Sequence, residues 1–257
     1  MKFLRHIPAQ PLAQFVDLFW LYERPALPHA KELALPTATV ELVFDFKDSA
    51  GNLVICGPHS RSFVIETAKP ASLLGIHFRP GGAFPFLGLP AGELHNVHVS
   101  LETIWGTKSA VVHNHLMEAR TPMDKFRVLE QALVAQSRQR LSRHPAVRFA
   151  LDKFHSNTIA SIADVVEQTG LTSRRFIELF QNEVGVTPKL YRRVQRFQQV
   201  LNLVHHSEHV DWSHVALDCG YYDQAHFIHD FREFSGLNPT VYLRMRSEHL
   251  NHVPLCG

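Results

Sequence analysis

The chain has 257 residues, of which 45% are hydrophobic and 19% charged, a profile that supports one or two packed cores and excludes a disordered chain. MKFLRHIPAQ lacks the apolar stretch of a signal peptide and Asp17 interrupts LAQFVDLFWLY, so no membrane partner is expected and a cytoplasmic location is. Cys56, Cys219 and Cys256 form no CxxC pair, which excludes a disulfide framework or a cysteine zinc site.

The first hundred residues are predicted to be mainly strands. TVELVFDF (39–46), LVICG (53–57), FVIE (63–66) and SLLGIHF (72–78) are short apolar or alternating runs, separated by DSAGN, GPHSRS and KPAS. RPGGAFPFLGLP (79–90) is predicted as a glycine–proline loop with one short helical turn. A tight turn is the better reading of its RPGG than an anion cradle. Helical patterns follow at LETIWG, SAVVHNHLMEA and 123–141, where Phe126, Leu129, Leu133 and Val134 make an apolar face. SRHP (142–145) marks a boundary, with Pro145 suited to a first helical turn. The fold class expected is α+β in two domains. Residues 1–142 form a β-rich barrel or roll closed by helices, and residues 143–257 form an all-α domain.

The helical half contains one pattern twice. SIADVVEQTGLTSRRFIELFQNEVGVTPKLY (161–191) begins with Ser161 and Asp164 as cap and N3 acid, turns at Thr169-Gly170-Leu171, and restarts at Thr172. Phe176, Leu179, Phe180 and Val184 line that second helix, which ends at Gly185, Pro188 and Tyr191. DWSHVALDCGYYDQAHFIHDFREFSGLNPTVY (211–242) repeats the design with caps at Asp211 and Asp223 and a turn at Gly220. Phe227, Phe231 and Phe234 form its apolar stripe, and it ends at Gly236, Pro239 and Tyr242. Leu190, Val194, Phe197, Leu201 and Val204 place one long helix with a single buried stripe between the copies. Each copy is a helix-turn-helix.

This doubled pattern, with GYYDQAHFIHDF and both G-x-x-P-x-x-Y endings, resembles the DNA-binding domain of AraC/XylS-type transcriptional regulators over residues 146–244. The F.W, ELVFDF and HFRPGGAFPFLGLPAGEL motifs are similar to the sensor-type domain of one subgroup. The resemblance implies a sequence-specific regulator of double-stranded DNA, with no catalysis and no cofactor. It implies base reading by Arg174, Ile177 and Glu178 in the first unit and by Gln224, Ala225 and His229 in the second. Phosphate contacts fall to Arg175, Arg192, Arg193, Arg196 and Arg232. A small-molecule effector at residues 1–142, a homodimer and contact with RNA polymerase complete the expected partners.

Charge fits this reading poorly. The chain's formal charge is +2, and from Pro145 onward 11 Lys and Arg face 12 Asp and Glu, so binding would rely on local clusters rather than a broad field. Glu178, Gln181, Asn182 and His229 stand where basic residues are common in the family. His95 with His98, His113 with His115, and His205 with His206 and His209 lack a partner at ligand spacing, so no metal site is expected. Cys219 reads as a buried thiol. Trp20, Trp105 and Trp212 read as core. The alternative is an enzyme on the β-rich half targeted to DNA by the helical half, and no metal triad or cysteine cluster can be assembled for it.

Overall fold

The computed structural model describes residues 2–47, 53–137, 142–156, 161–207 and 209–255. The DSAGN turn, positions 138–141 of the helix expected over 123–141, and Cys256 lie outside the described residues. In chain order the strands are β1 (Lys2–His6), β2 (Val16–Arg24), β3 (Lys31–Ala34), β4 (Glu41–Asp45), β5 (Leu53–Cys56), β6 (Phe63–Glu66), β7 (Ala71–Phe78), β8 (His98–Ser100) and β9 (His252–Leu255). The helices are α1 (Phe84–Leu87), α2 (Leu101–Trp105), α3 (Lys108–Glu118), α4 (Pro122–Gln136), α5 (Pro145–His155) and α6 (Ile162–Thr169). They continue with α7 (Ser173–Val184), α8 (Pro188–Val204), α9 (Trp212–Asp218), α10 (Gln224–Ser235) and α11 (Pro239–Met245). Contacts gather these elements into two compact units. One comprises Met1–Pro25, Ala38–Pro58 and Ala71–Pro188, and the other Ala26–Thr37, His59–Pro70 and Lys189–Gly257.

The first unit is built on an antiparallel six-stranded sheet in the order β1-β2-β7-β4-β5-β8. Alternation in β4 points Leu42 and Phe44 to one face, and register sets Leu42 beside Ile55 and Ile76, and Phe44 beside Leu53 and Leu74. These side chains are buried together with Phe86 of α1, Trp105 of α2, Leu116 of α3, and Phe126, Leu129 and Leu133 of α4. Each such large side chain contributes about 1.5–3 kcal/mol by leaving water. Trp105 Nε1 donates to the Phe86 carbonyl at 2.9 Å, so the indole keeps a partner inside the core. On the other face the Trp20 ring lies over Gly75, where a Cβ would sit 2.3 Å from the indole.

The barrel expectation needs correction. The β-rich region contains two sheets, and the larger is open, with β1 and β8 as its edges. Val134 is also 51% exposed rather than part of the α4 stripe, whose other members pack inside the same unit.

In the second unit, β6, β3 and β9 form a three-stranded sheet. The C-terminal region is accordingly not all helical, because Val253 pairs with Leu33 and Pro254 with Glu32. β9 lies at the sheet edge, where a proline is tolerated. Glu32 is buried and accepts from His29 Nε2 at 2.7 Å and His252 Nδ1 at 3.1 Å, which holds its carboxyl down to about 2. The helical core gathers Val194, Phe197, Leu201 and Val204 of α8 with Phe227, Phe231 and Phe234 of α10 and Tyr242 of α11. Phe197 meets Phe231 and Phe234 at ring-centre distances of 5.2 and 5.4 Å.

Candidate nucleic-acid interface

Local chemistry sets the first helix-turn-helix. Ser161 Oγ accepts from the Asp164 amide while the Asp164 carboxylate accepts from the Ser161 amide, closing a capping box on α6. Gly170, at φ +68°, ends α6 in the left-handed conformation that glycine adopts without strain. Thr172 Oγ1 then accepts from the Arg175 amide and starts α7. Phe176, Phe180 and Val184 face inward, with Phe180 6.0 Å from Phe154 of α5.

That packing leaves Arg174, Arg175, Ile177 and Glu178 exposed, the first with 91% of its side chain in solvent. Arg174 Nε donates to Glu178 Oε1 at 3.1 Å, and Arg175 Nη1 lies 3.6 Å from Glu178 Oε2. Exposed pairs of this kind contribute at most about 1 kcal/mol, so the three side chains can exchange partners readily. The acidic Glu178 that fits the family pattern poorly is thus neutralised by its own helix.

The second unit is organised differently. Asp211 caps α9, and Asp223 Oδ1 accepts from the His226 amide at 2.7 Å to cap α10. Gln224, Ala225, His229 and Arg232 are exposed. Gln224 Oε1 accepts from Ser213 Oγ at 3.4 Å. Ala225, Ile228, His229, Arg232 and Glu233 line a shallow open depression along the helix. Trp212 stacks on Phe227 at 5.6 Å from beneath. Cys219 is buried, and burial pushes its thiol up to about 11, which leaves it a packing group.

The five arginines expected on phosphates separate into groups. Arg175 and Arg232 are exposed, and Arg192 is half-buried. Arg193 and Arg196 serve the fold. Arg193 Nη2 donates to Asp230 Oδ1 at 2.7 Å and Nε to Oδ2 at 3.3 Å, and the same guanidinium donates to Glu233. Asp230 is only 1% exposed. Its hydrogen bonds raise the Arg193 pKa further above the ordinary arginine value. Arg196 Nη1 donates to the Gly220 carbonyl at 3.2 Å, with its guanidinium 4.9 Å from the Tyr221 ring centre. Arg193, expected on phosphate, joins α8 to α10 by pairing with the buried Asp230, which Arg196 also approaches at 3.9 Å.

Asp230 was missed in the sequence, although an aspartate between Phe227 and Phe231 on an inward stripe calls for a cation. Tyr222 was missed too; it is 88% exposed, one residue before the cap of α10. Among the described residues, the group of His and carboxylate side chains close enough to share an ion is His229, Asp230 and Glu233. Arg193 already occupies both carboxylates, so an added cation would meet a fixed positive charge.

Comparison with known proteins bears on the same residues. Residues 165–245 match a family described as a helix-turn-helix domain, and residues 4–100 match a domain of unknown function (DUF6597). The probable transcriptional regulator LumQ of Photobacterium leiognathi is 30% identical over 88 residues, 34% of this chain and 35% of LumQ. The chain therefore spans about a third of the length of that curated relative. Among solved structures, the C-terminal domain of AraT, a response regulator from Geobacillus stearothermophilus, is 24% identical. That likeness covers 43% of this chain and 93% of AraT's, with a TM-score of 0.37. ToxT from Vibrio cholerae is 10% identical, covering 96% of this chain and 98% of its own, with a TM-score of 0.42. Residues 165–245 form a helix-turn-helix domain.

Proposed function

We propose that this protein is a sequence-specific transcription regulator that reads two consecutive major grooves, one with α7 and one with α10. The observation that carries the reading is the repeated presentation of an exposed polar helix face over a buried aromatic stripe, within the helix-turn-helix match. Arg174 donates two hydrogen bonds to a guanine, Glu178 accepts from a cytosine amine and Gln224 pairs with an adenine, while Ile177, Ala225 and His229 shape the contact. Arg175, Arg232 and Arg192 position the helices on phosphates without specifying sequence. Arg193 and Arg196 are revised to support of α10. Selection of bound fragments from random DNA, then footprinting of one winner, tests this. Two protected grooves on one face of the duplex, about 34 Å apart, are expected.

The helix-turn-helix match and the regulator among the relatives favour this role over an enzyme. In this reading, residues 1–142 are the control domain and residues 143–257 the DNA-binding domain. A small-molecule effector, a second copy of the chain and RNA polymerase are its further partners. Thermal shift of the full chain against a metabolite library tests the first. Sedimentation with and without DNA tests the second, and transcription in a reconstituted system tests the third.

A further inference from the structure

The exposed half of α7 is the half assigned to DNA, and its other half is gripped. Gly185, at φ +92°, lies so close to Pro58 and Ala91 that a Cβ would sit 2.4 Å from Pro58 Cγ and 3.0 Å from the Ala91 carbonyl oxygen. At Gly92 a Cβ would meet Gln181 Cγ and the Gln181 carbonyl oxygen, both at 3.2 Å. Gly81, at φ +70°, faces Val184 Cγ2 and the Glu183 carbonyl oxygen at 3.5 and 3.7 Å. Gly82 is pressed in turn on the Phe15 carbonyl, where a Cβ would sit at 1.9 Å. The glycine–proline segment between β7 and β8 thus approaches the last turn of α7 through residues that have no side chain to hold it off.

A polar joint closes the same contact. Glu183 is 6% exposed, and its Oε1 accepts from the His144 amide at 2.9 Å. Its Oε2 has no hydrogen-bond partner among the described residues. The preceding residue, Arg143, donates from Nη2 to the Gln14 carbonyl at 2.8 Å and lies 5.7 Å from the Phe15 ring centre. His144 and Arg143 are therefore tied, the first to the end of α7 and the second to the turn just before β2. Burial pushes the Glu183 carboxyl up to about 7, against the His144 amide and the Arg143 charge, which both hold it down. A buried carboxyl with one unsatisfied oxygen is expensive for packing alone.

We propose that Glu183 is a positioning residue for DNA recognition, and that residues 79–93 with Arg143 and His144 form a seat that sets the direction of α7. This rests on the regulator reading above. α7 has 12 residues and is about 18 Å long, so a tilt of about 5° at the seat moves its reading end by roughly 1.5 Å. That displacement breaks a bidentate contact to a base. A change at residues 79–93 therefore reaches the first half-site without touching a base-reading side chain.

The test uses the full chain and a selected site containing both half-sites. Gly92→Leu and Glu183→Ala are expected to lose at least tenfold in preference at the half-site read by α7, with the α10 half-site unchanged. Glu183→Gln keeps the acceptor for the His144 amide and is expected to restore wild-type preference. Equal loss at both half-sites, wild-type preference in Gly92→Leu and Glu183→Ala, or no rescue by Glu183→Gln overturns the seat. Amide exchange in free protein gives a readout independent of DNA. Glu183→Ala should raise exchange across residues 176–184 at least tenfold, with Glu183→Gln and wild type alike. A wild-type protein with no sequence preference sinks the regulator reading, and unchanged exchange in Glu183→Ala sinks the seat.

Discussion

The two candidate recognition helices hold their reading faces in place by different physics. α10 is fixed by an aromatic stripe and by a buried aspartate clasped by Arg193 of α8, and Ser62 donates to the Phe234 and Ser235 carbonyls at its last turn. α7 has an aromatic stripe too, and its last turn rests on residues far away in sequence, through glycines and the Glu183–His144 hydrogen bond. One helix is stabilised by a charge pair that water barely reaches, and the other by close backbone approach. The difference teaches that two copies of one motif can respond separately, the first through its support and the second through its core.

Substitutions can break this comparison. The largest effect is expected in the α10 core. Phe231→Ala removes a fully buried ring and should lower stability by about 3–5 kcal/mol in urea unfolding. A value near that of a surface change would remove the core from the account. Arg193→Ala strands Asp230 and should cost about 3 kcal/mol, whereas Arg174→Ala breaks an exposed pair and should cost under about 1 kcal/mol. Equal losses would erase the distinction between the two helices.

pH sharpens the same contrast. The folded Glu183 carboxyl titrates near 7 against an ordinary 4.5, so its protonated form favours the fold. That contribution is complete below pH 4.5 and is lost as pH rises through 7. Glu32 has the opposite sign: its folded value near 2 stabilises the chain above pH 4.5, and this is lost as pH falls towards 2. Urea midpoints from pH 4 to 8 should therefore decline across pH 4.5–7 in wild type relative to Glu183→Gln. A flat difference contradicts the burial of that carboxyl. The smallest change in the protein itself is expected for Gln224→Ala, which should leave stability intact. It should reduce discrimination at one base pair by on the order of 1–3 kcal/mol, read by titration of single-base variants.

The helix-turn-helix units were readable because their determinants are local. Asp223, Phe227, Phe231, Phe234 and Gly236 lie within one helix and its caps, and each does in the structure what its spacing implies. β2 was hidden because VDLFWLYER is apolar on both faces, with Phe19 and Leu21 in the core and Trp20 over Gly75. β3 and β9 were hidden because four-residue strands more than 200 positions apart show no pattern until they pair. RPGG read as a tight turn, and only the fold reveals the α7 backbone that Gly81 admits. Arg193 read as a surface cation because its partner, Asp230, lies on another helix.

The measurement that tests the central claim most directly is a footprint of the full chain on a duplex selected from random sequence. The account predicts two protected major grooves on one face of the DNA. It also predicts that Gln224→Ala alters base preference in one groove and Arg174→Ala in the other. Protection of a single groove, or loss of preference in the same groove for both substitutions, would contradict it.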